Sequence, residues 1–264
     1  MPRSSTHILL LTFTLFFSLV ALVQAQVPKM QTQVPGYYRM PLGQFEVTAL
    51  YDGAIELDTK LLHNTKATDL DRLLARMFVG NPKMQTAVNA YLINTGTHLV
   101  LVDTGAAKLF GPTLGYVVQN MRAAGYEPGQ VDTVVITHLH GDHMGGLNDT
   151  TGKPLFPTAT IWVSQADNDY WLSEKTAASA PEKAQPFFKM ARDTAAPYLA
   201  SGQWKTFSEG TVLVPGVKAV KANGHTPGHT AYGVGIRRPA PAHLGRSGPC
   251  PCRPVRPAGR VVRV

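Results

Sequence analysis

Cysteine is almost missing from this 264-residue chain: there are two, Cys250 and Cys252, both close to its end. A fold held together by disulfides is therefore excluded. Charged residues make up 16% and aromatic residues 8%, and no Gly-x-Ser-x-Gly stretch marks a serine nucleophile poised between a strand and a helix. Acidic residues are absent from both terminal segments. Residues 1–25 carry Arg3 as their one basic group, and residues 235–264 carry seven arginines. The segment between them balances 17 basic against 17 acidic groups, so the formal charge of +8 describes the ends and not a basic surface on the fold. Nucleic acid is thereby excluded as a partner. Long apolar runs are also scarce: past Val23 none approaches the length of a membrane span.

What is present begins with Ile8–Val23, a predominantly apolar stretch preceded by Arg3 and followed by Val23-Gln24-Ala25, with small residues at the −3 and −1 positions of a cleavage site. This is the pattern of a secretory signal peptide cut after Ala25, and it implies a periplasmic or secreted protein with no membrane association after cleavage. From Gln26 on, β and α patterns alternate. Phe45–Tyr51 predicts a strand ending at Asp52-Gly53, and Ala90–Asn94 with His98–Val102 predicts a hairpin around Thr95-Gly96-Thr97. Apolar residues at 114, 117, 118 and 121 predict a helix over Pro112–Ala124 stopped by Gly125. Further strands are expected at Val131–Ile136, Thr160–Val163, Val212–Val214, Val217–Val220 and Thr230–Val234, and helices at Gln165–Lys175 and Glu182–Leu199.

The chemistry is concentrated directly after the Val131–Ile136 strand, in Thr137-His138-Leu139-His140-Gly141-Asp142-His143-Met144. Strand alternation sends His138 and His140 to one side, and Asp142 and His143 follow as the chain turns into a helix. Imidazole and carboxylate suit a Lewis-acidic divalent ion such as zinc. A second cluster, Gly224-His225-Thr226-Pro227-Gly228-His229, forms a tight loop that can bring a distant histidine to the same place. His225 is the expected ligand there; for His229 a hydrogen bond to a neighbouring loop is as good a role as coordination.

These motifs, together with Val102-Asp103-Thr104-Gly105, resemble the metallo-β-lactamase superfamily. Gln33–Met40, Leu101–Ala106, Leu109–Gly115 and Gly224–Thr230 resemble more narrowly the methyl parathion hydrolase group of exported bacterial enzymes, over residues 30–234. The resemblance implies an α/β fold of α+β type, an αββα four-layer sandwich, and a hydrolase acting on lactones, esters or phosphotriesters. It implies two divalent metal ions, zinc by preference. His138, His140 and His225 match ligands of one, and Asp142 and His143 match ligands of the other, with Asp142 also the catalytic carboxylate. Water activated by the two ions takes the place of a side-chain nucleophile. Phe110, Trp171 and Phe187 match an aromatic substrate wall; Asp103 and His229 fall behind the ligands. The expected partner is a small-molecule substrate, and a homodimer is left open.

The pattern departs from the family after Val234. A bridging aspartate and a last histidine are expected there, and residues 235–264 instead hold seven arginines, six prolines and both cysteines. One reading is a disordered basic arm. The other is an out-of-frame text: Gly235–Arg256 can be back-translated so that a one-base shift reads ESGGQRLLIWGDLVHVPAVQF, which puts an aspartate across Arg246 and Ser247. The sequence thus divides into a signal peptide (1–25), an incomplete metallo-β-lactamase-like domain (26–234) and a tail (235–264). The alternative to a hydrolase is a truncated, non-catalytic relic or binding protein that keeps a partial metal site.

Overall fold

The computed structural model describes residues 27–235 and the pair Val262–Arg263. The signal-peptide segment and nearly all of the tail lie outside the described residues. Residues 27–33 are exposed and form neither helix nor strand.

Seven strands make the larger sheet: β1 (Tyr37–Leu42), β2 (Phe45–Asp58), β3 (Lys83–Asn94), β4 (Leu99–Val102), β5 (Thr133–Val135), β6 (Thr160–Ser164) and β7 (Trp204–Phe207), in that spatial order. β1 to β4 pair antiparallel, whereas β4 to β7 run parallel to one another. The smaller sheet is antiparallel, in the order β11 (Val262–Arg263), β10 (Thr230–Val234), β9 (Val217–Lys221), β8 (Val212–Val214). The helices are α1 (Ala67–Arg76), α2 (Val117–Ala123), α3 (Gly141–Met144), α4 (Gln165–Trp171), α5 (Glu174–Ser179) and α6 (Gln185–Ala200).

Strand alternation separates two cores. Leu50, Leu92, Leu101, Val134 and Ile161 point to one face of the large sheet, where Met121, Met144, Trp171, Phe188 and Tyr198 from the helices cover them. Val47, Ile93, Val100, Val102 and Val135 point to the other face and meet Val217, Ala219, Tyr232 and Val234 of the small sheet. Helices, large sheet and small sheet are three layers of the expected sandwich. Among the described residues, no helix contributes to the core between the sheets.

Several boundaries differ from the sequence pattern for identifiable reasons. β2 continues past Asp52-Gly53 because a bulge between Tyr51 and Gly53 keeps it paired with β3. Gly53 has φ +135°, and a Cβ there would lie 1.9 Å from the Thr113 carbonyl oxygen, so the bulge requires glycine. The bulge turns Asp52 fully inward, where its carboxylate accepts from the backbone N–H groups of Ala106, Gly115 and Val117. That capture starts α2 at Val117 instead of Pro112. The helix expected over Gln165–Lys175 is two, because the Ser173 hydroxyl accepts from Thr176 N and caps a new one. Strands β1 and β7 and helix α1 had no reading in the sequence pattern.

Candidate metal centre

Parallel strands β4, β5 and β6 end on the same edge of the sheet, and the loops leaving them build the site, as is general for such sheets. The segment after β5 carries His138 and His140, with His140 as the residue preceding α3. The β9–β10 connection delivers His225 from the other sheet. Ligand nitrogens of His138, His140 and His225 all lie within 4.8 Å of one another. Their rings pack edge to face, with centroids 4.7 Å apart in each pairing.

The tautomer of His138 follows from its neighbours. Asp103 accepts from Thr137 N at 2.7 Å and from the Thr137 hydroxyl at 2.8 Å. That hydroxyl has one proton and has given it to the carboxylate, so its 3.0 Å contact with His138 Nδ1 places the donor on the histidine. Nε2 therefore keeps its lone pair, and it is buried without a hydrogen-bond partner. A buried unpartnered acceptor is costly, and a cation is the chemical group that three inward-facing imidazoles can satisfy. The donor set fits a divalent ion such as zinc.

Charge is arranged to keep these ligands available. Burial, followed by repulsion from the neighbouring histidines, pushes His138 far below its ordinary range. Burial and His225 bring His140 down to about 4, and burial and His229 lower His225 as well. All three are neutral at neutral pH, the form in which an imidazole can ligate. His143 is opposite in character: burial alone would lower it, but Asp103, 2.8 Å from Nδ1, and Asp142, 3.3 Å from Nε2, raise it to about 10. Burial alone would raise Asp142, but its hydrogen bond to His143, the charge on that ring and its own backbone N–H together lower it.

His143 and Asp142 thus sit beside the trio, paired with each other, and the His143 ring centroid is 4.0 Å from that of His138. His229 turns Nδ1 to the Ala222 carbonyl at 3.1 Å, with its ring 4.8 Å from His138. Of the three aromatics, Phe110 packs beside Gly141, where a Cβ would lie 3.1 Å from its ring, and the Trp171 ring centroid is 5.0 Å from His140. Phe187 is 42% exposed, and its neighbour Phe188 is the one packed at a tilt against Trp171, with centroids 4.7 Å apart. Sequence reasoning missed Phe188, Thr137 and the buried Asp167. A Ser164-x-x-Asp167 helix-start pattern was there to be read, but it announces a cap and not tertiary partners.

A sequence profile described as "Metallo-beta-lactamase superfamily" matches residues 85–241. The crystal structure of hydrolase AbOPH in the beta lactamase superfamily is 37% identical, with a TM-score of 0.72 over 78% of this chain and 72% of that one. AidC, a dizinc quorum-quenching lactonase, shares the fold at 23% identity, with a TM-score of 0.68 over 76% of this chain and 70% of that one. The N-acyl homoserine lactonase of Bacillus thuringiensis is 25% identical over 158 residues, 53% of this chain and 54% of that protein. The Beta-lactamase-like protein 2 homolog of Drosophila melanogaster is 33% identical over 92 residues, 33% of this chain. The chain spans 54% and 30% of the lengths of these two curated relatives.

Proposed function

The chain belongs to the metallo-β-lactamase superfamily, and from that premise we propose that it is an exported divalent-metal-dependent hydrolase of lactones, esters or phosphotriesters. The observation that carries this reading is the orphaned Nε2 of His138, buried and aimed into a trio of neutral imidazoles. Identity of 37% to a hydrolase of the superfamily supports the reaction class, and the lactonase relative supports lactones as one substrate class. The motifs at 33–40 and 109–115 favour the methyl parathion hydrolase group within it. Export rests on the pattern of residues 1–25, and a secreted fraction that retains Met1 would count against it.

His138, His140 and His225 would hold one ion; Asp142 would contribute to a second, and His143 would join it on giving up the Nε2 proton that now faces Asp142. Divalent ions there, zinc by preference, would supply Lewis acidity toward water and toward a carbonyl or phosphoryl oxygen. The chain's own residues do the rest. Asp103 fixes His143 and, through Thr137, the proton on His138 Nδ1. Asp142, ionised and 28% exposed at its side chain, offers an oxygen on the open side as a proton acceptor. Phe110, beside Gly141, and Trp171, beside His140, would give an apolar wall for substrate next to the ligands.

The test is turnover of a lactone, an aryl ester and a phosphotriester by the purified mature chain, before and after chelation and zinc readdition. His138→Ala and His140→Ala should each lose bound zinc and turnover together. Full zinc content in either variant would overturn the site.

A further inference from the structure

Asp167 is 1% exposed, carries a carboxylate, and takes no part in the chemistry proposed above. It stands in the first turn of α4, where its own N–H donates to the Ser164 hydroxyl. One carboxylate oxygen accepts from Leu139 N at 3.1 Å and from the Thr226 hydroxyl at 2.9 Å. The other accepts from Gly228 N at 2.6 Å. Leu139 is the residue between His138 and His140, and Thr226 follows His225. The single side chain therefore binds both ligand-bearing segments, which are about ninety positions apart in the chain and leave from different sheets.

Packing makes this junction tight. A Cβ on Gly228 would lie 2.0 Å from Ser164 Oγ and 2.5 Å from Asp167 N, so the loop seats directly on the start of α4. Leu139, whose N–H the carboxylate takes, is 2% exposed in the helix-side core, which gives the junction a rigid base. A buried carboxyl group that accepts from two backbone N–H groups and one hydroxyl holds its partners in fixed directions.

We propose that Asp167 is a positioning residue that sets the affinity of the metal centre by tying the His138–His140 segment to the His225 loop before an ion arrives. The inference rests on the reading of His138, His140 and His225 as ligands. An amide in its place has one acceptor oxygen, so in either orientation its NH2 faces a backbone N–H, that of Gly228 or that of Leu139, and Asp167→Asn cannot keep all three bonds that tie the two segments.

The experiment measures zinc affinity by competition with a chromophoric chelator, the visible spectrum of the cobalt-loaded chain, and the Tm of the metal-free chain. Wild type, Asp167→Asn and Thr226→Val are compared with Asn120→Ala, a control that removes buried hydrogen bonds from α2 to Gly36 and Tyr51, away from both segments. Zinc affinity should fall about 10–100-fold in Asp167→Asn, the range known for residues that orient ligands. The cobalt spectrum should change with it, while Asn120→Ala lowers Tm and leaves affinity at the wild-type value. Thr226→Val, which keeps the carboxylate and removes one bond, should lie between them and gives the answer if Asp167→Asn does not fold. Affinity within twofold of wild type in Asp167→Asn, or in Thr226→Val should that be the variant that folds, would overturn the proposal. Absence of zinc binding by wild type would overturn the ligand reading itself, a different outcome from equal binding by all.

Discussion

His140 and His143, three residues apart, are driven in opposite directions, and the stability of the metal-free chain should show both. His140 is lowered from an ordinary 6.5 to about 4, so its contribution is complete above pH 6.5 and lost as pH falls toward 4. His143 is raised from 6.5 to about 10, so its contribution is complete below pH 6.5 and lost as pH rises toward 10. The Tm of the metal-free chain should therefore peak near pH 6.5 and fall on both sides. A Tm that climbs steadily across that whole range would contradict the account. At this scale the cluster of His138, His140 and His225 was legible in sequence, because three histidines and an aspartate within six positions are too dense for an ordinary core or surface role. The proton on His138 Nδ1 was not, since it depends on Asp103 and Thr137 meeting across two strands. Nor was the packing of Phe188 against Trp171, which depends on where α6 begins its turn.

At the scale of elements, hydrophobic period predicted the buried strands and missed the elements defined by tertiary contacts. β4, β5 and β6 read correctly because buried apolar or β-branched residues dominate them. β7 is four residues with a lysine in it, too short to show a period, whereas α1, in which Leu74 is the one buried residue, has Leu70, Leu73, Leu74 and Met77 at helical spacing, a pattern that sequence reasoning passed over. The extension of β2 depended on a glycine that sequence reasoning took for a turn. Gly53→Ala tests that geometry: the added methyl meets the Thr113 carbonyl, and a left-handed residue carries about 1–3 kcal/mol of strain in addition. Thermal or urea unfolding should show a loss of that size or larger. A loss under about 0.5 kcal/mol, the range of an ordinary surface change, would mean that the bulge does not require glycine.

For the whole molecule, the question is whether the edge of the small sheet and the second ion's ligands are complete. Among the described residues Asp142 and His143 are committed to each other and to Asp103, and the cluster that converges is the His138, His140, His225 trio. We propose that the text after Val234 is out of frame. A chain carrying ESGGQRLLIWGDLVHVPAVQF from position 235 should bind a second zinc and exceed the present chain in turnover and Tm. Equal zinc, activity and stability in the two chains would show that the tail as written is sufficient.

The most direct test of the central claim is X-ray absorption at the zinc edge of the purified chain loaded with one equivalent of metal. The account predicts a first shell of nitrogen with the outer-shell scattering of three imidazoles, reduced to two in His225→Ala. A shell of oxygen or sulfur without imidazole scattering, or one unchanged by His225→Ala, would contradict it.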